Sequence, residues 1–182
     1  PEKLCNDVCS LRPAEDRLAM SVKMKLSNSG KILGATAMNS VIRSRARLSY
    51  DQVDGYLQGD ATALDSAVPK DDVDAVKEMI GALNQIRALR EEIRKKRGSV
   101  DFESVETRVV LDQDNKPTGV SVRERTQATG LIEEAMLAAN ESVAHMLSQH
   151  DLESAYRVHE QPSPESLKLA VTPLVAMGAL EP

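Results

Sequence analysis

Three features of the sequence predict an α+β fold, with antiparallel sheet hairpins packed against long helices. Stretches on either side of turn-forming residues alternate apolar and polar side chains with period two, whereas other, longer stretches repeat apolar residues at helical spacing. Hairpins and helices also follow one another without the regular strand–helix alternation of a doubly wound parallel sheet.

The first strand is read from Leu18, Met20, Val22, Met24 and Leu26, which alternate with Ala19, Ser21, Lys23 and Lys25 as in a half-buried strand. Ser27-Asn28-Ser29-Gly30 supplies turn chemistry, and Lys31 to Ile42 reads as the returning strand of a long antiparallel hairpin. Ser49 caps a short helix over Tyr50 to Leu57, closed by Gly59, and the small, polar stretch from Gly59 to Lys70 reads as a loop. Asp71, Asp72 and Asp74 open the next helix, in which Val73, Val76, Met79, Ile80, Leu83, Ile86, Leu89 and Ile93 recur at helical spacing before Gly98. Acidic residues in a first turn complement the helix dipole and call for no metal ion. Ser99 to Leu111 is strand-like, and Asp112 to Gly119 turns the chain into Val120 to Arg125. Lys116 at a would-be ligand position argues against a calcium loop there. A long helix follows from about Thr126 to Gln149, then a short extended piece, Ala155 to His159, and a last helix with Ser163 as cap and Pro164 at its first position.

With 182 residues, 41% of them hydrophobic and 28% charged, the chain can bury one core and is expected to form one domain or a large piece of one. It shows neither a signal peptide nor a membrane-length apolar run, so a cytoplasmic location is expected. Cys5 and Cys9 share one short segment, which reads as a loop with two small buried thiols rather than a disulfide framework. His145, His150 and His159 lack the paired spacing of a zinc site.

A net charge of -5 excludes a protein that holds nucleic acid by a general positive field, so any such role must be local. Two basic clusters are available. Alternation places Arg43, Arg45 and Arg47 on one side of an extended segment, a candidate phosphate contact. Arg87, Arg90, Arg94, Lys95, Lys96 and Arg97 crowd the end of a long helix, where cations complement the dipole without any ligand.

The most informative stretch is Leu131-Ile132-Glu133-Glu134-Ala135-Met136-Leu137-Ala138-Ala139-Asn140, where two carboxylates interrupt an apolar run. A buried carboxylate is costly unless paired, so a core helix that keeps one often keeps it for a site. Helical spacing puts Glu133 and Asn140 on one face, beside an apolar stripe of Ile132, Ala135, Met136, Ala139 and Val143. The alternative places both glutamates at a solvent margin, paired with basic neighbours. Phe102, between Asp101 and Glu103, is an odd core residue; exposed beside cations, its ring can stack on a base, and the alternative is a ring folded back on the sheet.

Taken together these segments resemble the catalytic domain of the ribonuclease II and ribonuclease R family of exoribonucleases. The resemblance is carried, in order, by Pro1-Glu2-Lys3-Leu4 with Cys9-Ser10-Leu11 and Asp16-Arg17-Leu18; by Ser44-Arg45-Ala46-Arg47-Leu48-Ser49-Tyr50-Asp51-Gln52-Val53; by Arg97-Gly98-Ser99 with Asp101-Phe102-Glu103; by the stretch from Leu131 to Asn140; and by Tyr156-Arg157-Val158-His159-Glu160-Gln161-Pro162. Thr129-Gly130 departs from the family's usual polar entry to the long helix.

The resemblance implies a 3′-to-5′ hydrolytic exoribonuclease that degrades single-stranded RNA to nucleoside 5′-monophosphates by two-metal cleavage with magnesium. It also implies that the metal-binding aspartates lie upstream of Pro1 and an assisting arginine downstream of Pro182, so that residues 1–182 form the later portion of one catalytic domain. Within this chain it assigns Tyr50 a place beside the terminal nucleotide, Glu133 recognition of the ribose, and Phe102 stacking on terminal bases. Arg45 and Arg47 are candidates for backbone phosphates, and Asn140 for the same RNA-facing line as Glu133. Single-stranded RNA is thus the expected partner of a monomer. Two alternatives are a catalytically inactive RNA-binding relative and a protein-interaction module of an RNA-degradation assembly.

Overall fold

The computed structural model describes residues 1–99, 106–123 and 125–178. Two compact units divide the chain, Pro1–His150 and Asp151–Pro182. The first begins with a π-helical turn, Lys3–Val8, in which Cys5 and Cys9 are free and exposed. The expectation of buried thiols in a loop is therefore corrected: the turn buries no residue, so nothing draws these side chains inward.

Strands β1 (Asp16–Leu26) and β2 (Ile32–Arg43) form the predicted antiparallel hairpin, Asp16 facing Arg43 and Lys25 facing Gly34, with an irregularity between Lys25 and Leu26. Ser27 organises the turn by accepting from the Ser29 and Lys31 backbone N–H groups. Gly30 has φ +78°, and a Cβ there would meet Leu89 Cβ at 2.8 Å, so both the conformation and the close approach demand glycine. The hairpin is only partly covered. Val22, Met24 and Leu26 are half-buried, but Leu18 is 87% exposed and Met20 lies open, so the half-buried strand holds only toward the turn.

Helix α1 (Tyr50–Leu57) starts as the sequence predicts: Ser49 accepts from Gln52 N–H while the Gln52 side chain accepts from Ser49 N–H. The stretch from Gly59 to Lys70 is a run of turns, yet Leu64 and Val68 within it are buried in the core with Val76, Ile80 and Leu131. The polar composition of that loop concealed two of its anchors. Helix α2 (Val73–Lys96) follows and ends at Gly98, with Ser99 N–H donating to the Arg94 carbonyl.

Strands β3 (Glu106–Leu111) and β4 (Pro117–Arg123) form the second antiparallel hairpin. At its turn the Asp112 carboxylate accepts from Asp114 and Lys116 N–H, both at 2.9 Å, which is the chemistry of a turn. Helix α3 (Gln127–Gln149) is capped by Thr126 with Thr129 in a capping box, so the unusual Thr129 supplies a cap of its own. A second tie fixes this helix start: buried Asp54 of α1 accepts from Ala128 N–H at 2.9 Å. Gly130 leaves room for Arg87, whose Cδ would lie 3.1 Å from a Cβ at that position.

The buried side of α3 comprises Ala128, Gly130, Leu131, Glu134, Ala138 and Ser142. This corrects the expected stripe, since Ile132 and Met136 are exposed. The reason lies across the interface, where α2 presents arginines and draws Glu134 inward. In the second unit, residues 152–163 form no regular element, which replaces the extended piece expected over Ala155 to His159. Helix α4 (Pro164–Ala176) starts with Ser163 accepting from Ser166 N–H, as predicted.

Candidate functional site

Arg87, Arg90, Arg94 and Arg97 recur at spacings of three and four on α2, which places them on one helical face. Their partners are Glu91 on the same helix and Glu133, Glu134 and Glu141 on α3. Arg87 Nη1 lies 2.7 Å from Glu91 Oε2, Arg90 Nη2 donates to Glu141 Oε2 at 2.6 Å, and Arg97 Nη1 donates to Glu141 Oε1 at 3.0 Å. This basic cluster is thus largely consumed in joining two helices rather than held in reserve for phosphates.

The adjacent glutamates separate into two environments. Glu134 is 2% exposed, and its Oε1 sits 3.0 Å from Arg94 Nε without a hydrogen bond being directed onto it, so charge rather than directed bonding holds the pair. Burial pushes the Glu134 carboxyl above its ordinary value; Arg94 and Arg90 pull against this, while Glu133 and Glu91 add to it. Glu141 goes the other way. Burial opposes its charge, but hydrogen bonds from Arg90 and Arg97 outweigh that and hold its carboxyl below the ordinary range.

Glu133, by contrast, keeps a side chain 41% exposed. Arg94 Nη1 donates to its Oε1 at 3.3 Å, and Arg125 Nη2 lies 2.8 Å from its Oε2. The buried carboxylate expected in this helix is therefore Glu134, and the salt-bridged one at the solvent margin is Glu133. The alternative of both glutamates at a solvent margin therefore fails for Glu134, and Glu133, the one singled out as a site residue, is the carboxylate that stays exposed.

The other candidates lie on separate elements. Tyr50 opens α1 with its ring exposed, and α1 is fixed against α3 through Asp54. Arg43, Arg45 and Arg47 are exposed while Ser44, Ala46 and Leu48 turn inward, so the predicted alternation continues past the end of β2. Arg43 donates to Asp16 and Arg45 to Asp72, each at 2.7 Å, and both arginines line an open cavity of about 560 Å³ with Ala14, Ser44, Pro69 and Asp72. Asn140 is exposed two turns along α3 from Glu133. Phe102 lies outside the described residues, and with it the expected convergence of its ring on Glu133.

A family model, described as the RNB domain, matches residues 1–177. The chain belongs to the RNB domain family. Ribonuclease R of Thermotoga maritima is 36% identical over 179 residues, covering 98% of this chain and 24% of that protein. Ribonuclease R 1 of Lactococcus lactis is 35% identical over 168 residues, covering 92% of this chain and 20% of the relative. Among solved structures, Mycoplasma genitalium RNase R in complex with ribose-methylated single-stranded RNA superposes on all of this chain, and on 27% of its own, with a TM-score of 0.85 at 28% identity. The same protein in complex with double-stranded RNA gives 0.86, also at 28% identity, over 31% of that chain. The chain thus spans about a fifth to a quarter of the length of the curated relatives named here.

Among the described residues of this RNB segment, no group of three or more His, Cys, Asp or Glu side chains can hold a metal ion. No helix among them is long and apolar enough to cross a membrane. Sequence reasoning missed Arg94, Arg125 and Glu134 as partners of the candidate site. The signal was present in the stripe from Arg87 to Arg97 and in the seven-residue step from Glu134 to Glu141, but it becomes readable only when α2 and α3 are known to face each other.

Proposed function

We propose that this chain is part of a 3′-to-5′ exoribonuclease that hydrolyses single-stranded RNA to nucleoside 5′-monophosphates, and that it forms the RNA-recognition wall of the catalytic channel. The carrying observation is the Glu133 carboxylate, held at the surface by two guanidinium groups in an RNB segment whose named relatives are ribonucleases R. A carboxylate so placed can accept a hydrogen bond from a ribose 2′-hydroxyl, the group that distinguishes RNA from DNA. Tyr50, exposed at a capped helix start, offers a ring beside the terminal nucleotide, and Phe102 offers a stacking surface. Exposed Arg47, and Arg45 through the guanidinium face its pair with Asp72 leaves open, offer contacts to backbone phosphates, and Asn140 extends the Glu133 face.

Magnesium dependence belongs to the same proposal, with its ligands outside this segment, as do cytoplasmic action and a monomeric state. Residues 1–182 are then the later portion of one catalytic domain. The match to an RNB model over residues 1–177 and the open apolar faces of both hairpins support that reading.

The test uses the full-length protein with magnesium and a 5′-labelled single-stranded oligoribonucleotide. Stepwise shortening from the 3′ end with release of nucleoside 5′-monophosphates is expected. Glu133→Gln is expected to narrow the preference for RNA over the matching DNA about tenfold, the effect of one hydrogen bond to a charged group. Binding without product would identify an inactive RNA-binding relative, and absence of binding would favour the interaction module.

A further inference from the structure

We propose that Arg94 and Arg125 are positioning residues for RNA recognition: together they fix the plane of the Glu133 carboxylate, and buried Glu134 anchors Arg94 for that purpose. This rests on the reading of Glu133 as the ribose-recognising residue. Each Glu133 oxygen is held by a different guanidinium, Oε1 by Arg94 of α2 at 3.3 Å and Oε2 by Arg125, just before α3, at 2.8 Å. A free glutamate turns about three side-chain bonds; contacts to both oxygens from two directions select one orientation. A carboxylate has about four lone-pair sites, so two guanidinium contacts leave room for a hydroxyl donor on the exposed side.

The two cations are themselves held. Arg94 is 15% exposed and bridges Glu133 with Glu134, so its position is set by a carboxylate that cannot follow solvent. Arg125 also approaches Glu91, at 4.0 Å, and Glu91 is paired with Arg87. The arrangement exceeds what cohesion requires. Arg94–Glu134 and Arg90–Glu141 already join α2 to α3, and a pair as open as Arg125–Glu133, with side chains 43% and 41% exposed, adds little stability. What that outer pair does set is the direction of the acceptor.

The experiment measures affinity of the full-length protein, without divalent cations, for an oligoribonucleotide and the oligodeoxyribonucleotide of the same sequence; the ratio of the two is the readout. Arg125→Ala is expected to lower the ratio by about threefold or more while DNA affinity stays within about twofold, and Arg125→Lys to restore part of the loss. Arg94→Lys, which keeps a charge against Glu134 but loses the fork that spans both glutamates, is expected to lower the ratio at temperatures where the variant remains folded. The double variant Glu133→Gln with Arg125→Ala should show no further loss beyond Glu133→Gln, because both act through one carboxylate. If Glu133→Gln lowers the ratio but Arg125→Ala and Arg94→Lys do not, or if the losses add, the positioning role is overturned alone. If Glu133→Gln leaves the ratio unchanged, the ribose-recognising role fails and this inference fails with it.

Discussion

Glu133 and Glu134 show how neighbouring, identical side chains acquire different tasks from the direction in which a helix presents them. About 100° of rotation separates them, enough to send Glu134 into the interface with α2 and leave Glu133 at its margin. The same logic applies from Arg43 to Leu48, where alternation sends Ala46 and Leu48 to the core and leaves Arg45 and Arg47 outside. For Phe102 the expectation rests on its chemistry. Replacing it by alanine in the complete protein should weaken binding to short RNA about tenfold, within the range of a lost base stack, and change the length of the final product. Titration with short oligoribonucleotides and sizing of the limit digest would check both, and unchanged values would remove the ring from the site.

Helix α3 begins where two independent caps meet. Thr126 and Thr129 satisfy each other in a capping box, and Asp54 reaches across from α1 to the Ala128 N–H. The second bond is the one that positions Tyr50 relative to the helix carrying Glu133, because it fixes α1 and α3 to each other. Loss of a buried cap leaves an amide without a partner, so Asp54→Ala should lower the unfolding free energy by about 1–2 kcal/mol in urea denaturation. RNA affinity should fall with it even under conditions where the variant remains folded. Asp54→Asn, which keeps an acceptor oxygen, should recover most of the stability.

Between α2 and α3 charges carry much of the contact, and pH should expose this. Glu134 holds its proton more tightly when folded than when unfolded, because burial raises its folded value. The stability linked to that proton is complete below the ordinary carboxylate range and is lost as pH rises through the raised folded value. Glu141 behaves oppositely: its lowered folded value contributes stability above the ordinary range, lost as pH falls through that value. The two windows therefore lie on opposite sides of the ordinary carboxylate value. Unfolding free energies of the parent and Glu134→Gln, measured from below that value to above the folded value of Glu134, should diverge in the variant's favour as pH rises. A constant difference would mean that burial does not shift this carboxyl.

Caps, turns and periodicities are set by residues close together in the chain, so Ser49, Gly30, Gly98, Ser163 and both hairpins could be read directly from the sequence, whereas the cap at Thr126 was hidden by the unusual Thr129-Gly130. The family could be read as well, because its motifs are contiguous strings such as Arg45 to Gln52 and Leu131 to Asn140. The inward face of α3 could not. Composition favours burying Ile132 and Met136, but Arg90 and Arg94 arrive from a helix forty positions earlier in the chain and offset part of the cost of burying Glu134 instead. Leu64 and Val68 were hidden in the same way, since a polar loop gives no local sign of which side chains a distant helix will cover. Contacts between segments far apart in the chain decide which residues meet, and a carboxylate's role depends on whom it meets.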